Sequence, residues 1–140
     1  MTEAKTSAYS GKSLAGKLGL KAGSRVLPIG APGEYMAWLG DLPENVEFLS
    51  AVSSSVDIVH LFATRSDELA KQLKRLRTEL GPHAALWVSW PKKASKQPTD
   101  LDENRIRDLA LPLGLVDIKV CAVSEVWSGL KLVLRKELRG

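Results

Sequence analysis

A single cysteine, Cys121, stands among 140 residues, so no internal disulfide framework can form. There are only two histidines, His60 and His83, and no H-E-x-x-H or cysteine pair, which removes the ligand spacings of zinc sites. G-x-S-x-G is also missing, so a nucleophile elbow lacks its required parts. No run of about 18 apolar residues exists that would carry a helix across a bilayer. The opening "MTEAKTSAYSGKSLAG" has no apolar core of the kind a signal peptide needs, and a cytoplasmic location without membrane attachment is expected. Charge of one sign is not in great excess. Twenty Lys and Arg against 16 Asp and Glu leave a net +4, which permits contact with phosphates but weighs against a dedicated nucleic-acid binder.

What is present is an ordinary globular balance, 44% apolar and 26% charged, at a length that suits one core. The expected organisation is a flexible polar tail over residues 1–8 and one domain over 9–140. "KSLAGKLGLKAGS" places Leu14 and Leu18, with Leu20 close by, on one side of a short helix ending at Gly19 or Gly23. "SRVLPIG" (24–30) reads as a strand whose Pro28 cannot donate a ladder hydrogen bond. "GAPGEYMAWLG" then forms a glycine-rich turn into a short helix, and "ENVEFLSAV" (44–52) a second strand.

The near-continuous apolar run "VDIVHLFA" (56–63) is the pattern of a strand covered on both faces, as in a parallel sheet. Next, "TRSDELAKQLKRLRTELG" carries Leu69, Leu73, Leu76 and Leu80 on one helical stripe, with Thr64 or Ser66 as cap and its basic residues on a solvated face. "AALWVSW" (84–90) is another buried-type strand. In "PTDLDENRIRDLALPLG", Thr99 with Asp102 makes a capping-box-like start before the stripe of Ile106, Leu109, Ala110 and Leu113. "LVDIKVCAV" and "LKLVLRK" are strands joined by "SEVWSG", too short for a crossover helix, so they pair antiparallel or diverge.

Alternating strands and helices closed by a hairpin imply an open three-layer α/β sheet of about six strands, mostly parallel, in the order 2-1-3-4-6-5. This pattern resembles a class I methyltransferase-type Rossmann fold, shortened by roughly one strand and two helices between "ENVEFLSAV" and "VDIVHLFA". More narrowly, "YSGKSLAGKLGLKAGSRVL", "DIVHLFATRSDEL", "LWVSWPKKASKQPTDLDENRIRDLAL" and "GLVDIKVCAVSEVWSGLKLV" resemble a family of small bacterial proteins with no established activity. The methyltransferase resemblance implies a glycine-rich loop under a cofactor, here Gly30 and Gly33 with Glu34, and an acid at the end of the second strand. "FLSAV" has no carboxylate there, so the motif is incomplete and no cofactor is identified.

In such sheets ligands bind beyond the carboxyl ends of the strands, where strand order reverses. "WVSWPKKASK" ends a strand near that edge. Lys92, Lys93 and Lys96 offer cations, Ser89 and Ser95 hydroxyls, and Trp90 a ring for stacking. Glu125 and Trp127, in the connection between the last two strands, are expected at the same edge. A plainer account is that Trp87 and Trp90 cover opposite faces of the sheet while the lysines solvate a loop. His60, mid-strand, reads as a satisfied core histidine, and Cys121 as a small core residue.

Three functions compete on these residues. One is a binding module holding an anionic or nucleotide-like small molecule. A second is a reduced methyltransferase-like enzyme with Glu125 or His60 as acid or base. The third is an interaction module docking on another protein or on RNA.

Overall fold

The computed structural model describes residues 13–139; the expected tail, residues 1–8, lies outside them, as do 9–12. Six strands, β1 (Arg25–Ile29), β2 (Glu47–Phe48), β3 (Ile58–Phe62), β4 (Ala85–Pro91), β5 (Leu115–Ala122) and β6 (Trp127–Leu134), form one sheet. Their order is β2-β1-β3-β4-β6-β5. The first four strands in that order run parallel, and β6 is antiparallel to both β4 and β5. This is the topology that the sequence pattern implies.

Every residue of β3 is buried, which is why that strand reads as an unbroken apolar run. On one face, α3 (Ser66–Glu79) and α4 (Glu103–Ala110) pack their stripes against the sheet. Leu69, Leu73, Leu76 and Ile106 are fully buried there with Val59, Leu61, Val88 and Leu130. Each such leucine contributes about 1.5–3 kcal/mol of burial. On the other face, α1 (Leu14–Leu18) and α2 (Tyr35–Leu39) cover Val26, Ile58, Phe62 and Trp87. Trp87 and Trp90 thus belong to opposite faces of the sheet.

Pro28 keeps its place in the ladder because of which side its nitrogen faces. Glu47 and Leu49 donate to the carbonyls of Ser24 and Val26, while Asp57 donates to Arg25. By alternation Pro28 faces the β2 side, and β2 ends at Phe48. The missing N–H falls where the partner strand has run out, and the β3 side keeps its register through Ile29 and Leu61.

Several local expectations change. The first helix stops at Gly19, left-handed at φ +88°, the earlier of its two expected ends. The second strand is two residues long instead of nine, because Asn45 turns the chain at φ +60° before it. Residues 49–57 then leave the sheet to cross to β3 without a helix, and Leu49, Val52 and Val56 seat that crossover on the α3 face. Neither Thr64 nor Ser66 caps α3. The Asp100 carboxylate, from the loop after β4, accepts from both the Ser66 amide (2.8 Å) and its hydroxyl (2.7 Å). The cap of α4 is Asp102, accepting from the Arg105 amide, while the Thr99 hydroxyl donates to the Thr64 carbonyl. The last connection is also shorter than expected. The Ser124 hydroxyl accepts from the amides of Val126 and Trp127, so β6 begins at Trp127.

Candidate functional site

The parallel order reverses between β1 and β3, and a cleft of about 470 Å³ opens at the carboxyl ends of these strands. Its floor is Ile29, Gly30, Leu61, Phe62 and Ala63, and its wall is the outer side of α3 with Glu68, Lys71, Gln72 and Arg75. The size falls in the range of small-molecule sites. Gly30 is there for backbone reasons: it sits at φ +69°, and a Cβ on it would lie 3.2 Å from the Phe62 carbonyl oxygen. Only a residue without a side chain lets the β1 loop pass this close to β3.

Phe62 joins the two halves of the edge. Its ring meets Trp127 edge-on at 5.1 Å between centroids and stacks on His60 at 4.4 Å. Beyond Trp127 lies the lysine loop. The Lys92 amide donates to the Val126 carbonyl at 2.7 Å, which ties the loop after β4 to the turn carrying Glu125. The far end of the loop is pinned by Thr99 and Asp100 to the start of α3. The two loops therefore share one edge of the sheet. Lys93, Lys96 and Glu125 are exposed there and Lys92 is half-buried.

Other expected site residues are placed elsewhere. Ser89 is fully buried, and its hydroxyl lies 2.7 Å from His60 Nε2, so it offers nothing to the edge. Trp90 is taken into the α3–α4 core, where its ring has no free face for stacking. The Ser95 hydroxyl donates to the Lys92 carbonyl at 2.7 Å and so closes the loop's own turn. Gly33 and Glu34 precede α2 and are exposed, and neither lines the cleft. Lys71 and Arg75 escaped the sequence reading because their helix face looked merely solvated. Their spacing beside Leu69, with β1 ending opposite, is the signal that would have found them.

His60 is held from both sides. Its Nδ1 lies 2.9 Å from the Tyr35 hydroxyl and its Nε2 meets Ser89, with all three groups buried. A neutral imidazole donates from one nitrogen and accepts at the other, and the two hydroxyls adapt to either tautomer. Burial lowers the His60 pKa from 6.5 to about 3 and pushes the Tyr35 phenol up. The network is neutral at pH 7 and its ring nitrogens are already bonded, so His60 has no free atom with which to act as the base considered for it. Among the described residues no cluster of His, Cys, Asp and Glu is arranged to hold a metal ion. No helix among them is long and apolar enough to cross a membrane.

Compared with known proteins, the chain matches no family model. No curated protein matches it either. Solved structures do share its fold. A SAM-dependent methyltransferase from Aquifex aeolicus aligns over 93% of this chain and 92% of its own, with a TM-score of 0.60 at 18% identity. The magnesium protoporphyrin IX methyltransferase of Synechocystis PCC 6803, solved with bound SAM, aligns over 87% and 74%, with a TM-score of 0.55 at 14% identity. An O-methyltransferase from neocarzinostatin biosynthesis, solved in complex with S-adenosylmethionine, reaches a TM-score of 0.60 at 12% identity over 81% of this chain. The chain spans 49% of that protein, about half its length. The sheet is therefore a methyltransferase-like Rossmann sheet.

Proposed function

We propose that the protein is a small Rossmann-like binding module that holds an anionic, nucleotide-like small molecule at the carboxyl edge of its sheet. The observation that carries this reading is the cleft at the β1–β3 reversal, where the apolar floor of Ile29, Leu61 and Phe62 meets Lys71 and Arg75. An apolar floor suits a base or other flat ring, and the two cations on the wall suit its phosphates. Lys92, Lys93 and Lys96 add positive charge along the same edge. Two of the proteins sharing the fold hold S-adenosylmethionine in their solved structures, which supports an adenosyl compound among the ligands to test.

The second reading, a reduced methyltransferase-like enzyme, draws on those same neighbours. Binding is favoured over catalysis because His60 is sealed in its own network and Glu125 stands exposed in a turn.

The test is a thermal-shift titration with S-adenosylmethionine, S-adenosylhomocysteine, AMP and ATP on the wild type and on Lys71→Glu/Arg75→Glu. A ligand at 100 times its Kd stabilises the fold by about 2.7 kcal/mol, a clear rise in Tm. A rise in the wild type that the double variant loses supports the reading. No rise with any of the four, or a rise that the variant keeps, overturns it. Methyl transfer from S-adenosylmethionine to water-soluble acceptors, followed by release of S-adenosylhomocysteine, separates the enzyme from the module.

A further inference from the structure

The hairpin of β5 and β6 carries an arrangement of like charges across one pair of strands. The pairing passes from Asp117 opposite Leu132 to Lys119 opposite Lys131, so Ile118 is an extra residue with no partner. Without this bulge Ile118 would face Lys131; with it, two ammonium side chains stand directly across from each other. Like charges in that position are destabilising.

A third lysine joins them from far away in sequence. Lys21 follows α1, whose end at Gly19 lies against the Lys131 amine: a Cβ on Gly19 would be 4.0 Å from Nζ. Partial burial, and after it the charges of Lys119 and Lys21, lower the pKa of the Lys131 amine. The amine sits 6.0 Å from the Trp87 ring centroid. Among the described residues none of Lys21, Lys119 and Lys131 forms an ion pair. Ile118 stands beside them, 56% exposed.

We propose that this face, centred on Lys119 and Lys131 with Lys21 at its rim, docks the phosphate backbone of a single-stranded nucleic acid. The cleft at the carboxyl ends of β1 and β3 does not include these residues. Several cations on one face suit an extended polyanion, which gains affinity from each counterion released along its length. The exposed Ile118 side chain favours an unpaired strand, whose bases are free to lie on an apolar group. The even spread of charge in the sequence concealed this patch, because its lysines come from three separate segments. It is independent of the carboxyl-edge cleft.

The experiment is fluorescence anisotropy with a short labelled oligouridine over a range of salt, using the full chain. Binding is expected to weaken with salt at a log–log slope of about −2, for three phosphates neutralised on a single strand. Lys119→Gln/Lys131→Gln is expected to weaken binding about tenfold or more and to flatten the slope. The control Lys74→Gln/Arg105→Gln removes the same charge from exposed positions on α3 and α4 and is expected to change affinity by less than about twofold. Because the first double variant removes a repulsion, its Tm should hold or rise, which separates lost binding from lost folding. Absence of binding by the wild type at low salt, equal weakening in both variants, or binding confined to anionic phospholipid vesicles or to pyrophosphate would each overturn the proposal.

Discussion

The Tyr35 hydroxyl lies 2.9 Å from His60 Nδ1, and the two residues come from adjacent layers: a helix after β1 and the centre of the sheet. Tyr35→Phe leaves a buried ring nitrogen without a partner and is expected to cost about 1–3 kcal/mol in urea unfolding. Replacing all three members together, Tyr35→Phe, His60→Leu and Ser89→Ala, is expected to cost less than the sum of the single changes, because no polar atom is then stranded. Additive losses would show that the hydroxyls and the ring act separately.

The same burial sets a dependence on acid. His60 has a folded pKa near 3 against 6.5 for the free side chain, so between those values the unfolded chain binds the extra proton. Stability therefore rises with pH through this window and is lost as pH falls from about 6.5 towards 3. The carboxylates held low by partners, Asp100 by Ser66 and Asp117 by Arg107, add their loss only below their ordinary value of 3.8. A decline in Tm that begins above pH 5 in the wild type and disappears in His60→Leu would identify the histidine; an unchanged profile in that variant would assign the decline elsewhere.

Gly30→Ala tests the close approach of β1 to β3. An alanine at φ +69° costs about 1–2 kcal/mol in backbone strain alone, and its Cβ presses on the Phe62 carbonyl at 3.2 Å. Loss of stability together with weaker ligand-induced stabilisation is expected. A neutral substitution would mean that the loop relaxes away from β3.

Asp100→Ala removes the carboxylate that receives the first amide of α3. Fraying of the first turn and a Tm lower by roughly 3–6 °C are expected. Amide exchange should quicken at Ser66 and in the lysine loop together, since the same side chain holds both. Faster exchange in the helix alone would break that link.

The parts of this structure that were legible in the sequence are those written in neighbouring residues. The stripe of Leu69, Leu73 and Leu76, the unbroken run of β3 and the short link between β5 and β6 were enough to imply the strand order. The convergence of the lysine loop with the turn carrying Glu125 followed from that order as well. What escaped were partnerships across distance. His60 meets Tyr35 and Ser89 at separations of 25 and 29 residues, and Asp100 caps a helix that starts 34 residues earlier. No local pattern announces such contacts. Ser89 and Trp90 also look alike in sequence to residues that end a strand at a binding edge; β4 runs on through Pro91, and that extra length pulls both inside.

The brevity of β2 bears on how the molecule breathes. With only Glu47 and Phe48 paired to β1 and a crossover held by three aliphatic side chains, this flank is the weakest margin of the sheet. Opening should start there and stop at β3, whose neighbours hold it on both sides. Ile29 and Gly30 border the yielding margin while Leu61 and Phe62 belong to the rigid centre. Anything bound in the cleft would thus bridge a soft strand and a hard one, and its arrival would register as slowed proton exchange across residues 47–57, a segment it need not touch.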